Sequence, residues 1–249
     1  MKEYVLEKLK FFDNNPNFSF NEKYHSYTYN GNKLISVTNF LKRFKEEFDS
    51  DKWSKKTAEK TGQEQDTVLE EWKKINERAN EIGHATHAWI ENFFKGIYQP
   101  IPRDFEIIDR IDKFNKIYYE KIHKLTPIKF EQRVFSTKWN LAGTFDALFS
   151  YQDKLVIVDW KTNKKFDTES KWNKKLLSPF ETEDECKLTE YSIQISLYAL
   201  MLEEIGLEVK SGLILHIGPE GEPNLYKFKD YREILRNYLS ELQFQNVNS

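Results

Sequence analysis

The chain has 249 residues, 39% of them hydrophobic and 15% aromatic, enough to bury a core in which Tyr and Phe supply much of the volume. Charged residues make up 31% and nearly cancel, to a formal net charge of -2, which argues against a protein that coats polyanions generally and confines any nucleic-acid contact to a local surface. Cys186 is the only cysteine, which excludes an intramolecular disulfide, a Cys-based structural zinc site and a cysteine-ligated iron–sulfur cluster.

Met1 to Asn17 is charged and Asn-rich, without the apolar stretch of a signal peptide, and no run approaches transmembrane length. An intracellular, soluble protein with no membrane contact is expected. Phe18 to Leu34 alternates aromatic and polar side chains around Asn30-Gly31, a hairpin signal. Ser36 or Thr38 can cap an amphipathic segment from Asn39 to Phe48. Asp51 to Thr61 and Asp66 to Phe94 are Pro-free with apolar residues at helical spacing, the second being one long helix or two broken near Gly83. Pro100 and Pro102 close that region, and Asp104 to Lys124 predicts another helix.

The pattern then changes. Ile128 to Thr137, Leu141 to Tyr151 and Lys154 to Lys161 are short segments rich in β-branched and aromatic residues, separated by turn signals at Lys138-Trp139-Asn140 and Gln152-Asp153. This is the pattern of a three-stranded meander. A Lys-rich stretch from Thr162 to Leu188 predicts a loop with some helix, and Thr189 to Ile205 a helix ending at Gly206. Lys210 to Ile217 and Asn224 to Phe228 predict strands, and Tyr231 to Phe244 a last helix. The order indicates a mixed α/β (α+β) fold. Residues 1–80 form a hairpin and helical elaboration ahead of a core at residues 81–249, the two making one compact unit.

Leu155-Val156-Ile157-Val158-Asp159-Trp160-Lys161 carries the most information. So continuous an apolar run predicts a central strand covered on both faces, yet Asp159 and Lys161 stand at its end and point to one side. A structural ion pair is the plainer explanation. The neighbouring strand weighs against it, because the turn at Gln152-Asp153 folds Asp146 back beside Asp159. Two carboxylates so placed repel unless they share a proton or bind a cation, and all-oxygen ligation suits a hard ion such as Mg²⁺.

Asp146 followed by Asp159-Trp160-Lys161 resembles the D…(D/E)-x-K signature of the PD-(D/E)XK nuclease superfamily. Gly143-Thr144-Phe145-Asp146 is similar to the G-x-x-D form of its RecB-type branch, Asp159-Trp160-Lys161-Thr162 to the D-x-K-T ending, and Gln194-Ile195-Ser196-Leu197-Tyr198 to the Q-x-x-x-Y motif. Ahead of the meander, Gly83 to Glu91 matches the branch's G-x-x-x-H-x-x-x-E element, with His87 and Glu91 at the fixed positions and His84 outside the pattern. The resemblance spans roughly Gly83 to Tyr198. The segment before it resembles the helical embellishments that shape the DNA channel in single-domain exonucleases. The cysteine quartet of iron–sulfur members and a Walker A motif are both missing.

The resemblance implies a restriction-endonuclease-like core, a central mixed β-sheet flanked by helices. It implies a divalent-metal-dependent deoxyribonuclease, an exonuclease of recombination, repair or replication, with an endonuclease or an RNA substrate left open. One or two Mg²⁺ or Mn²⁺ ions would be held by His87, Asp146, Asp159 and the Trp160 main-chain carbonyl, with Asp146, Asp159 and Lys161 catalytic. Gln194 and Tyr198, four apart on one helix, would support the site, and would otherwise lie in an ordinary amphipathic stripe. Glu91 would orient His87, and Glu131, opening the first meander strand, would lie near the metals or be a plain edge charge. Lys164, Lys165, Lys171, Lys174 and Lys175 would meet the DNA backbone or form a solvated loop. Trp53, Trp72, Trp89, Trp139 and Trp172 would stack bases or fill the core. DNA, single- or double-stranded, is the implied partner, with a recombination or replication protein as a further one. The rival reading is a non-catalytic nucleic-acid-binding or assembly module that keeps the fold.

Overall fold

The computed structural model describes residues 1–247. Its centre is the antiparallel meander of β4 (Thr126–Ser136), β5 (Leu141–Tyr151) and β6 (Lys154–Lys161). The β5–β6 hairpin closes through Gln152 and Asp153, both left-handed at φ 47° and 57°, the turn whose twist matches that of the strands it joins. β7 (Val209–His216) adds parallel to β6, and β8 (Asn224–Lys227) antiparallel to β7.

A second meander, β1 (Phe18–Asn21), β2 (Ser26–Tyr29) and β3 (Asn32–Ser36), joins the same sheet. β3 runs parallel to the first residues of β5 through Ile35–Leu141 and Ser36–Ala142. The result is a mixed eight-stranded sheet in the order β1-β2-β3-β5-β6-β7-β8, with β4 paired to β5 off that path. β3 and β6 therefore share one edge of β5 at its two ends, and the stretch between them is free of ladder pairing.

The helices are α1 (Lys2–Asp13), α2 (Val37–Phe40), α3 (Ser50–Thr61), α4 (Gln65–Phe94), α5 (Phe105–Glu120), α6 (Lys187–Glu203) and α7 (Arg232–Val247). Ser36 caps α2 by accepting the Asn39 amide, so of the two hydroxyls named above it is Ser36 that caps. Along β6 the side chains alternate between two cores. Leu155 and Ile157 belong to the one under α6, while Val156, Val158 and Trp160 belong to the one formed with Ile90 of α4 and Phe114 and Ile117 of α5. Asp159 and Lys161, in phase with Leu155 and Ile157, thus fall on the α6 side.

Several local expectations change. α1 forms in the charged N-terminal segment because Val5, Leu9 and Phe12 recur at helical spacing and bury to 3% exposure or less. α4 runs unbroken through Gly83 as one 30-residue helix, the first of the two alternatives. Between β6 and α6 there is no helix among the described residues, only turns and a lone bridge between Lys175 and Asp184. α6 starts at Lys187 and is buried all round from Ser192 to Leu202, so Gln194 and Tyr198 do not sit on an amphipathic stripe. No helix among the described residues is long and apolar enough to cross a membrane.

Candidate metal centre

The site arises where β5 and β6 part. Their last ladder pair is Ala147 with Val158, so the next residues outward, Asp146 and Asp159, face each other across the opening fork. There the Trp160 amide donates to Asp146 Oδ2 at 2.6 Å, a side chain completing what the ladder has abandoned. Asp146 is 9% exposed and Asp159 only 2%. A carboxylate oxygen is thereby fixed in place by the backbone of the strand that carries the other.

α4 supplies the third group. His87 Nδ1 lies 3.3 Å from Asp146 Oδ1. The helix reaches this depth because Gly83, one turn earlier, abuts the end of β6, where an added Cβ would lie 3.3 Å from Thr162 Oγ1. β4 supplies the fourth. Ligand atoms of His87, Glu131 and Asp146 all lie within 4.8 Å of one another. Glu131 is not at the start of its strand, as expected from sequence, but at its middle. Its φ of 46° is left-handed, a conformation that costs a non-glycine residue about 1 kcal/mol or more, and the ladder with β5 skips it between Phe130 and Gln132.

Asp159 lies outside that trio. Its Oδ2 is 2.7 Å from Lys161 Nζ, an ion-pair distance, yet the approach misses hydrogen-bond geometry and leaves a buried oxygen without a directed donor. Lys161 Nζ is also 4.5 Å from the centroid of the Tyr191 ring on α6. Tyr191 donates from its hydroxyl to Asn163 Oδ1 at 3.3 Å, and the Asn163 carbonyl lies 2.7 Å from His216 Nε2 at the end of β7.

The charges divide accordingly. Burial opposes ionisation of Asp146, but the His87 and Lys161 charges and the Trp160 amide outweigh it and hold its carboxyl below the usual range. Burial, reinforced by the Asp146 charge, pushes Asp159 up to about 6 against the pull of Lys161. The same two causes push Glu131 up to about 7. For His87, burial disfavours the cation, and Asp146 more than reverses this. Lys161 is held well above the usual lysine range, because Asp159 and Asp146 overcome the cost of its burial. The site therefore crowds three carboxyls against one permanent cation, and Asp159 and Glu131 hold their protons longer than isolated carboxyls do.

Gln194 and Tyr198 come together on α6, the Gln194 amide donating to the Tyr198 hydroxyl at 3.1 Å. Tyr198 fits only because residue 143 is glycine, where an added Cβ would lie 2.7 Å from its Cε1. Glu91 does not orient His87; its carboxylate takes Lys95 Nζ at 2.5 Å, one helical turn on. The lysines that follow β6 are spread out. Lys164 lies 3.7 Å from Glu220, Lys174 pairs with Glu46 and Glu185, Lys175 pairs with Asp184, and Lys165 and Lys171 are exposed. Trp172 is 89% exposed and Trp53 45%, Trp89 and Trp139 pack against cores, and Trp72 meets Phe48. Tyr191, Asn163 and His216 carry no motif in the sequence. Only Tyr191 left a signal, its place one turn before Gln194.

The family model for the PD-(D/E)XK nuclease superfamily matches residues 52–247. No curated protein matches. Solved structures that match include that of SSO0001, 15% identical, covering 96% of this chain and 82% of that one at a TM-score of 0.31, a likeness too slight to carry an argument.

Proposed function

Since the chain belongs to the PD-(D/E)XK nuclease superfamily, we propose that it is a divalent-metal-dependent deoxyribonuclease of the RecB-type branch, an exonuclease of DNA recombination, repair or replication. The observation that carries the reading is the fork at Asp146 and Asp159, with a protonated lysine and an imidazole converging on it.

The donor set fits a hard divalent ion. Asp159 keeps a buried oxygen without a directed donor, and His87, Glu131 and Asp146 offer three more ligand atoms within 4.8 Å of one another. Asp146, Asp159, Glu131 and His87, with the Trp160 carbonyl, would hold one or two Mg²⁺ or Mn²⁺ ions. When bound, such an ion supplies Lewis-acid polarisation of a phosphodiester and ionises water near neutral pH. Lys161, held as a cation by Asp159 and Asp146, offsets the negative charge that grows on the phosphate. His87 and Lys161 keep Asp146 ionised, and the Trp160 amide aims it. Gln194 and Tyr198 brace β5 from α6 and touch no reacting atom. Lys164 and Lys165, exposed just after β6, would meet the DNA backbone.

The test is degradation of linear and circular DNA with Mg²⁺, Mn²⁺ or EDTA, by the wild-type chain and Asp159→Ala. Metal-dependent loss of linear DNA that the variant cannot perform supports the reading. No cleavage under any metal, or equal cleavage by both chains, overturns it, and attack on circles replaces exonuclease by endonuclease.

A further inference from the structure

The second half of β7 is apolar, Leu213-Ile214-Leu215, until it ends on His216, only 6% exposed. Another branched apolar residue there would bury without the cost of desolvating an imidazole. The imidazole is paired. Its Nε2 lies 2.7 Å from the main-chain carbonyl of Asn163, and since a carbonyl only accepts, Nε2 carries the hydrogen and donates. His216 stands opposite Lys161 in the parallel β6–β7 ladder, as its last register pair. The bond therefore extends the hold of β7 on the chain to a point two residues beyond the lysine of the metal centre.

Lys161 is bracketed as a result. Before it, the Trp160 amide is tied to Asp146 of β5 at 2.6 Å, and after it, the Asn163 carbonyl is tied to His216 of β7 at 2.7 Å. Between them the Lys161 carbonyl accepts the Ile217 amide at 2.8 Å. The imidazole has little room to move. A Cβ added at Gly218 would lie 2.6 Å from His216 Cε1, 2.7 Å from Nε2 and 2.9 Å from the accepting Asn163 oxygen, so residue 218 can carry no side chain against this bond. Lys113 of α5 holds that glycine in place by donating to the carbonyls of Gly218 and Pro219, both at 2.9 Å. The Phe166 ring has its centroid 5.2 Å from the imidazole and 4.3 Å from the ring of Tyr226 on β8. The Tyr191 hydroxyl also reaches Asn163, but at 3.3 Å, longer than an ordinary O–H···O bond of about 2.5–3.0 Å, so the main chain is the stronger route.

We propose that His216 is a positioning residue of the metal centre. Through the Asn163 carbonyl it fixes the main chain that leaves β6, and with it the place of the Lys161 ammonium beside Asp159 and the Tyr191 ring. The proposal rests on the nuclease reading for what Lys161 does, while the placement itself is a property of the metal-free chain. Because that ammonium meets charge that develops only in the transition state, misplacing it lowers kcat and leaves KM nearly unchanged.

Two measurements on the full chain test it. Steady-state cleavage of linear DNA is compared for wild type, His216→Leu, His216→Gln and Gly218→Ala, with melting temperatures checking that each folds. His216→Leu and Gly218→Ala should lower kcat about tenfold, inside the ~100-fold that a 1 Å misplacement can cost, and change KM by less than about twofold. His216→Gln, whose amide can donate to the same carbonyl, should recover most of the rate. The second measurement needs neither metal nor substrate. In wild type the ring current of Tyr191 displaces the NMR signal of the Lys161 Cε methylene, which is identified by its loss in Lys161→Arg. That displacement should shrink in His216→Leu and Gly218→Ala and return in His216→Gln. A folded His216→Leu or Gly218→Ala chain that keeps the wild-type Lys161 signal overturns the proposal whatever its rate, as does a shifted signal with unchanged kcat. If wild type cleaves DNA while neither readout follows His216, the positioning role falls and the nuclease reading stands. If wild type cleaves nothing under any metal while the Lys161 signal still follows His216, the nuclease reading falls and the positioning stands.

Discussion

Replacing Gly143 by alanine isolates the contact that seats the α6 tyrosine under the fork. The new methyl would lie 2.7 Å from Tyr198 Cε1, 3.2 Å from its hydroxyl and 3.3 Å from Val37 Cγ2. None of these neighbours can swing into solvent, since Tyr198 is 2% exposed and Val37 1%. The ring must tilt, against its hydrogen bond from Gln194, or α2 and α6 must lift from β5. Overpacking of this kind costs ~1–3 kcal/mol. For a chain of this size that is a fall of about 2–12 °C in Tm. Scanning calorimetry of the metal-free protein reads it, on Gly143→Ala, Tyr198→Leu and the double variant. Because the leucine removes the atom that is struck, the double variant should be more stable than the sum of the singles by about 1 kcal/mol. A Tm for Gly143→Ala within about 1 °C of wild type, or strict additivity, would refute the packing argument.

Tyr191→Leu removes the ring beside Lys161 and should lower the rate of DNA cleavage by about 2–30-fold, the worth of ~0.5–2 kcal/mol for a cation over an aromatic face. Tyr191→Phe should restore it, whereas equal losses would show that the Asn163 hydrogen bond matters rather than the ring. Asp146→Ala leaves the Trp160 amide without its acceptor, so the metal-free chain should lose ~1–3 kcal/mol by denaturant titration. It should also lose the rise in Tm that wild type gains from Mg²⁺, and a full rise retained by the variant would remove Asp146 from the ligand set. Glu131 and Asp159, raised to about 7 and about 6, bind protons more tightly folded than unfolded. In the metal-free chain they add stability below the ordinary carboxylate range, and that contribution is lost as pH rises through about 6–7. Melting in EDTA at about pH 5 and about pH 8 should therefore show a drop that shrinks in Glu131→Gln, while the Mg²⁺-induced rise in Tm should be larger at the higher pH. An identical Mg²⁺ effect at both would contradict the assignment.

The meander was legible because its signals are local: β5 and β6 have the boundaries their turn residues and β-branched runs predict. The pairing of Asp146 with Asp159 followed from that register alone. The position of Glu131 did not, since no propensity predicts a left-handed glutamate inside a strand, and only the converging His87 and Asp146 account for it. α1 was hidden because its stripe of Val5, Leu9 and Phe12 is diluted by lysines and glutamates, which mask the period in a count of hydrophobicity. Glu91 looked like a partner for His87 from spacing on one helical face, and Lys95, one turn the other way on that face, pairs with it instead. The path from His216 through Asn163 and Tyr191 to Lys161 joins three separate elements and has no linear signature.

The edge that β3 fills has a consequence for how much of the chain the metal centre leans on. The family match starts at residue 52, but Ile35 and Ser36 pair with the start of β5 at Leu141 and Ala142, and Val37 packs against Gly143. The stretch that matches the family model and the stretch that packs around β5 are therefore not the same. A protein cut to the matched stretch would carry every residue named in the metal centre, yet leave Leu141 and Ala142 without their β3 partners. Without β3 and Val37, the packing of α6 on β5 would lose what lies against Gly143 and Tyr198.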